Sequence, residues 1–303
     1  MVKVFVSIIN FNGRKNTLDC LDSIKKLAKK DFDLETVVID NASSQEFDLP
    51  KEYSWVKLIR STQNLGFSGG HNKVIKYCLE KRATHIIVLN NDTVVDKNLI
   101  LELLKNVSLE SGIGIVAPKI YFYKGFEFHK DRYKEEEKGK VFWYAGGIMD
   151  WENVIGRHRG VDEVDKGQYD KSIKTDFASG ACMMISKEVF EKVGLFDERY
   201  FLYYEDNDLC LRAKKNGFKI YYAPKAILWH KNAGSAGGSG SALQDYYITR
   251  NRMLFGMKFA PFRSRLSLIR ESFNLLLRGR TWQKRGVLDF YRGKFGKGSY
   301  NTG

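Results

Sequence analysis

Apolar positions change their spacing several times along the chain, and those changes divide it into elements. Val2 to Asn10 is a β-branched run that reads as a buried strand, and Thr17 to Lys29 carries Leu18, Leu21, Ile24 and Leu27 at helical spacing. Glu35 to Ile39 and Val56 to Ile59 read as short strands, Asn72 to Lys81 as a helix, and His85 to Leu89 as a central buried strand. Lys97 to Val107 repeats Leu99, Leu103, Leu104 and Val107 as one helical face. Strands alternating with helices predict an α/β fold with a mostly parallel sheet. Ligands of such sheets lie beyond the carboxyl ends of the strands, so chemistry is sought in the residues just after them.

The second half is less periodic. After an apolar run from Ile113 to Tyr123, the charged stretch Lys130 to Lys140 reads as a solvated excursion, and Trp143 to Trp151 as a strand interrupted at Gly146-Gly147. Phe177 to Ile185 is rich in small residues and then apolar, with a short helix from Lys187 to Val193 behind it. A further helix runs from about Glu205 to Asn216-Gly217, acids at its start and Arg212, Lys214 and Lys215 at its end, as the helix dipole favours. Leu228-Trp229-His230 ends another strand and opens the Gly/Ser run Asn232 to Ser241, which we expect to act as a mobile lid.

Composition sharpens this picture at one point. The 303 residues are 43% hydrophobic and 14% aromatic, enough for a large core, and hold only four prolines. The net charge of +14 is unevenly placed: from Arg250 onward there are thirteen basic and two acidic residues, which leaves +3 for the first 249. A near-neutral body with a basic appendage suggests docking by the appendage rather than nucleic-acid binding throughout. Within that appendage Phe262, Leu266, Ile269, Phe273, Leu276 and Leu277 form one helical stripe flanked by arginines, suited to an anionic membrane or to packing on the body or a twin subunit. Cys20, Cys78, Cys182 and Cys210 form no C-x-x-C pair, and we expect buried thiols in a reduced, cytosolic setting. No recognised nucleic-acid module is present, and none is expected to bind.

Polar clusters follow three strands. Asp40-Asn41-Ala42-Ser43-Ser44 suits a turn or a ligand contact. Asn64 to Asn72 holds Gly66, Gly69 and Gly70, which give flexibility or close backbone approach to a nucleotide at a helix N-terminus; it fits neither G-x-G-x-x-G nor a P-loop. Asn90-Asn91-Asp92 could use its acid on a divalent cation that bridges phosphates. The densest cluster is Phe196 to Leu209, where Glu205, Asp206 and Asp208 open a helix among five aromatics; adjacent carboxylates raise one another's pKa, which suits a general base. Arg250 and Arg252 could add charge to a diphosphate or an anionic acceptor.

In order and spacing, Val38 to Ser43, Asn64 to Asn72, Leu89 to Thr93, Ser179-Gly180-Ala181 and Phe196 to Arg212 resemble the family 2 glycosyltransferases, in particular the rhamnosyltransferase-like branch. The resemblance implies the GT-A fold, a Rossmann-like, mostly parallel central sheet, over residues 1–255. Its nucleotide-sugar half would be 1–123 and its acceptor half 124–255, with 256–303 a basic amphipathic helical extension. It implies inverting transfer from a nucleotide-diphosphate sugar, dTDP-rhamnose or a UDP-sugar, to a glycan or lipid-linked acceptor at the inner face of the cell membrane. Asp40 would accept from the pyrimidine, while Asn41, Asn64, Gly66, Gly69, Gly70, Asn72 and Asn91 close around the donor and Arg250 adds charge to its diphosphate. Asp92 and His230 would hold Mg²⁺ or Mn²⁺, with Asn90 where the first acid of the metal element often stands. Asp206 would be the general base and Glu205 its neighbour and second candidate. A homodimer is compatible with this reading. A nucleotidyltransferase or a non-catalytic binding module on the same fold are the other readings.

Overall fold

The structure is a computed structural model and describes residues 1–28, 30–232 and 240–300. The first half alternates as its periodicity predicts: β1 (Val2–Asn10), α1 (Arg14–Lys25), β2 (Phe32–Asn41), β3 (Val56–Ser61), α2 (Gly66–Glu80), β4 (His85–Asn90), β5 (Thr93–Val95), α3 (Leu99–Val107) and β6 (Ile113–Phe122). Short strands follow: β7 (Phe142–Tyr144), the hairpin β8 (Gly147–Asp150) and β9 (Ile155–His158), and β10 (Ile173–Lys174). Then come β11 (Cys182–Ser186), α4 (Lys187–Val193), α5 (Glu205–Lys215), β12 (Lys219–His230) and the helices α6 (Ala242–Phe259), α7 (Phe262–Arg278) and α8 (Thr281–Tyr291).

One sheet runs β10-β12-β6-β11-β4-β1-β2-β3, with β5 on β12 and β7 on β6. The pairs β1/β2, β1/β4, β2/β3 and β6/β12 are parallel, and β11 is antiparallel to both its neighbours. β1 and β4 are buried runs of Val, Ile and Leu because helices cover both faces of a parallel sheet. The expected halves at 1–123 and 124–255 interleave here, since β6 lies between β12 and β11. Likewise the expected boundary at 255/256 falls inside α6.

The largest departure from the expected elements is at the glycines. The helix expected from Asn72 begins at Gly66, so the glycine segment forms its first turns. Gly66 starts the helix at φ +69°, a region that glycine enters without strain. Gly70 lets α2 lie against β1, because a Cβ there would stand 2.7 Å from Ile9 Cδ1.

A second core joins the hairpin to the C-terminal helices: Met149, Val154, Tyr200, Tyr204, Leu254, Phe255, Ala260 and Leu268 are buried together. Among the described residues no helix is long and apolar enough to cross a membrane. All four cysteines are free and buried.

Candidate active site

The carboxyl ends of β1, β2 and β4 come out side by side because their register pairs Asn10 with Asp40 and Ile9 with Asn90. Asn10 Nδ2 donates to Asp40 Oδ1 at 2.9 Å, and Ser43 Oγ donates to the same oxygen at 2.6 Å. Thr17 Oγ1 donates to Asn10 Oδ1, and Asn91 Nδ2 to Thr17 Oγ1, each at 2.9 Å. Asp40 and Asn91 are therefore linked through Asn10 and Thr17, two residues the sequence reading passed over. The available signal was Asn10, a buried polar residue closing an apolar strand.

Asn41 turns toward the glycine segment. Its Nδ2 donates to Asn64 Oδ1 and to the Gly66 carbonyl, and its Oδ1 accepts from Leu65 N. Asn64 Oδ1 also accepts from Gly66 N. Asn72 reaches away from this corner: it accepts from Phe196 N and donates to the Phe196 carbonyl and Glu198 Oε1. A Cβ on Gly69 would lie 2.9 Å from Leu65 Cβ. Of the residues expected to close around the donor, Asn41, Asn64 and Asn72 thus place side-chain polar atoms on protein partners, and Gly66, Gly69 and Gly70 stand where a Cβ would meet Phe201, Leu65 and Ile9. The N-terminus of α2, expected to face an anion, is capped by the Phe201 carbonyl, which accepts from Phe67 N at 2.7 Å.

Asp92 and His230 lie 138 residues apart and meet because β5 pairs with the end of β12, Thr93 opposite His230. Asp92 Oδ1 is 3.0 Å from His230 Nε2, and both residues are buried. The imidazole also stands edge-on to Trp143, ring centroids 4.6 Å apart. One carboxylate and one imidazole at this distance fit a small divalent ion that takes its other ligands from phosphate oxygens and water. Among the described residues no group of three His, Cys, Asp or Glu offers a fuller protein cage.

Asp206 opens α5. Gly180 N donates to its Oδ2 at 2.9 Å, and Asn207 donates to its Oδ1 through N at 2.7 Å and Nδ2 at 2.9 Å. Burial raises the Asp206 carboxyl above its ordinary range against those three donors, which favour the charged form. Ala181, next to Gly180, accepts from Asn90 N, which ties the Asp206 loop to the end of β4. Glu205 differs: it is 4% exposed, its Oε2 has no hydrogen-bond partner among the described residues, and burial with the neighbouring Asp206 charge holds its carboxyl well above the usual range. Asp206, with three donors on its two oxygens, is thus the better solvated of the two neighbouring carboxyls, and Glu205 the more enclosed.

The approach to Asp206 is unusual backbone. Phe201, Tyr203 and Tyr204 have φ of 65°, 69° and 73°, left-handed values that cost a non-glycine residue about 1–2 kcal/mol each. Two neighbours on α6 hold this loop. Asn251, fully buried, places Nδ2 2.8, 2.7 and 2.9 Å from the carbonyl oxygens of Tyr200, Leu202 and Tyr203. Arg250, also fully buried, donates to the carbonyls of Tyr200 at 3.0 Å and Gly296 at 2.8 Å. The expected diphosphate role of Arg250 is therefore corrected: its guanidinium is engaged by backbone carbonyls inside the protein. Arg252 is likewise paired, to the Asn153 carbonyl and Glu271. Asn251 was missed, because nothing in the sequence marks a partner fifty residues upstream. The run expected to form a lid lies largely outside the described residues, at 233–239.

This architecture is shared by solved glycosyltransferases. GalNAc-T7 with UDP, GalNAc and Mn²⁺ superposes with a TM-score of 0.59 at 16% identity, over 90% of this chain and 57% of that one. The mannosyltransferase PcManGT of Pyrobaculum calidifontis, in complex with GDP-Man and Mn²⁺, gives 0.51 at 14% identity, over 98% and 76%. The present chain thus spans little more than half the length of GalNAc-T7. The fold is GT-A.

More narrowly, the chain belongs to the family described as "Glycosyltransferase like family 2", whose model matches residues 3–256. It is 28% identical to the low-salt glycan biosynthesis hexosyltransferase Agl10 of Haloferax volcanii, over 82% of this chain and 74% of that protein. It is 26% identical to the dTDP-rhamnosyl transferase RfbF of Shigella flexneri, over 83% and 79%.

Proposed function

We propose that the enzyme inverts the anomeric centre while moving rhamnose or a similar hexose from a nucleotide-diphosphate sugar, dTDP-rhamnose or a UDP-sugar, to a hydroxyl of a lipid-linked or polysaccharide acceptor. The single observation that carries this reading is Asp206, a half-buried residue whose carboxyl is raised by burial, fixed by three donors and tied through Gly180-Ala181 to the end of β4. As the acceptor oxygen attacks the anomeric carbon, its proton passes to Asp206. The bond from that carbon to the diphosphate oxygen breaks, and the pair of electrons leaves with the nucleoside diphosphate. One base suffices for this displacement, and no second carboxylate need act as nucleophile, in keeping with the enclosed Glu205, whose carboxyl burial pushes well above the usual range.

Asp40, held by Asn10 and Ser43, takes the pyrimidine, with Asn91 on the same hydrogen-bonded chain. Asp92 and His230 would hold Mg²⁺ or Mn²⁺, and the ion would supply positive charge against the leaving diphosphate. The names of the two relatives, a hexosyltransferase and a dTDP-rhamnosyl transferase, support the choice of sugar class. On this reading the protein works in cell-surface glycan synthesis, at the cytoplasmic face of the membrane where lipid-linked acceptors are presented.

A panel of nucleotide sugars, read by thermal shift with and without Mn²⁺ or Mg²⁺, tests the donor. The expected result is a metal-dependent rise in Tm with dTDP-rhamnose or a UDP-sugar. Release of pyrophosphate instead of a nucleoside diphosphate would make the chain a nucleotidyltransferase, and retention of the anomeric configuration in the product would remove the inverting mechanism.

A further inference from the structure

We infer that the outer face of α7, with the adjoining end of α8, is a docking surface for an anionic phospholipid bilayer. This rests on reading the chain as a peripheral membrane enzyme and adds which residues touch the lipid. The sequence left two uses for the apolar stripe of α7, membrane contact or packing against protein, and the contacts of the helix separate them. α7 turns Ser264, Leu268 and Ser272 inward, Leu268 packing where a Cβ on Gly256 would come within 2.2 Å of its Cδ1. The stripe itself faces out: Phe262, Leu266, Phe273 and Leu277 are 72%, 51%, 58% and 74% exposed. Tyr291 of α8 extends the patch, its ring 6.4 Å from that of Phe273, and Leu288 lies one turn before it, also exposed. Exposed apolar groups at this density on one helix mark an interaction site rather than ordinary surface.

Charge selects the partner. Arg263, Arg270, Arg278, Arg285 and Arg292 are exposed around this face and form no ion pair among the described residues. The two acids of α7 and α8 oppose none of them: Glu271 pairs with Arg252, and Asp289 is buried against Tyr246 and Ser299. A second copy meeting this face across a two-fold axis would bring arginines against arginines. An anionic bilayer offers opposite charge at the headgroups and hydrocarbon just beneath them, the two layers that a flat-lying basic amphipathic helix matches.

The test is co-sedimentation of the whole chain with vesicles of phosphatidylcholine alone and of phosphatidylcholine with 30% phosphatidylglycerol. Binding to the anionic vesicles is expected to exceed that to the neutral ones by at least about tenfold and to weaken with salt. F273S/L277S and R270E/R278E should each lower anionic binding about tenfold, while circular dichroism and turnover of a water-soluble acceptor analogue stay at the parent level. Unchanged vesicle binding by both double variants would overturn the proposal. So would a parent dimer in light scattering that F273S/L277S converts to monomer, since the face would then be a subunit interface. Vesicle binding requires no turnover, so failure of the sugar-transfer reading would leave this result standing and be recognised separately.

Discussion

The two sides of the site are held in opposite ways. On the side we propose for the donor, Asp40 and Asn91 sit at the ends of regular parallel strands, positioned by the sheet register and by short side-chain links through Asn10, Thr17 and Ser43. On the base side, Asp206 follows a loop with three left-handed aromatic residues, and that loop is suspended from α6 by Asn251 and Arg250. The donor side takes its geometry from repetitive structure. The base side takes it from a distant helix that overrides local backbone preference, which places its determinants far from the residue they position.

Substitutions can break this contrast at either end. The largest effect is expected from Asp206→Asn, which removes the proton acceptor but keeps the shape: kcat should fall by about 10²–10⁴, with donor binding by calorimetry unchanged. Near-normal turnover would withdraw the base assignment. Asn251→Ala should come next. It removes the buried side-chain donor to the Leu202 and Tyr203 carbonyls and leaves Tyr200 to Arg250 alone, so kcat is expected to drop about tenfold to a hundredfold while KM for the donor holds, together with about 1–3 kcal/mol of stability by urea denaturation. Asp40→Ala should show the reverse split, a donor KM raised about tenfold with kcat nearly intact. If both variants moved kcat and KM together, the division into two separately held sides would fail.

The smallest expected effect concerns pH. Glu205 has a folded-state pKa raised well above normal, so between the ordinary carboxylate value and that raised value the folded protein binds more protons than the unfolded one. Stability from this group is therefore full in acid and declines as pH rises through that window. Glu205→Gln should flatten the decline, raising Tm at neutral pH relative to the parent while leaving it similar in acid. A parallel pair of Tm–pH curves would mean that Glu205 is ionised in the folded state.

Legibility in the sequence followed the same divide. β1 and α4 lie where hydrophobic spacing put them; Asp40, Asn91 and Asp92 were picked out because they close or directly follow periodic strands, and Asp206 because adjacent acids open a helix among aromatics. Asn251 and Arg250 act through carbonyl oxygens, which every residue possesses, so no residue type announces the partner. The left-handed aromatics were equally hidden, since tertiary contacts impose a conformation their own chemistry disfavours. The glycines, read as flexibility or as close approach to a nucleotide before a helix, form the first turns of α2, Gly70 against Ile9 of β1 and Gly66 against Phe201.

The hold on the base loop also bears on the order in which the protein is made. The linked donor-side residues, Asn10, Thr17, Asp40, Ser43 and Asn91, all belong to the first 91 positions. The loop before Asp206 is pinned by Asn251, and Arg250 beside it donates to the carbonyl of Gly296. Ribosomes add about 5–20 residues per second and domains consolidate from the N-terminal side. A growing chain thus has the sequence that links Asp40 to Asn91 seconds before it has the anchors for the loop that leads to Asp206.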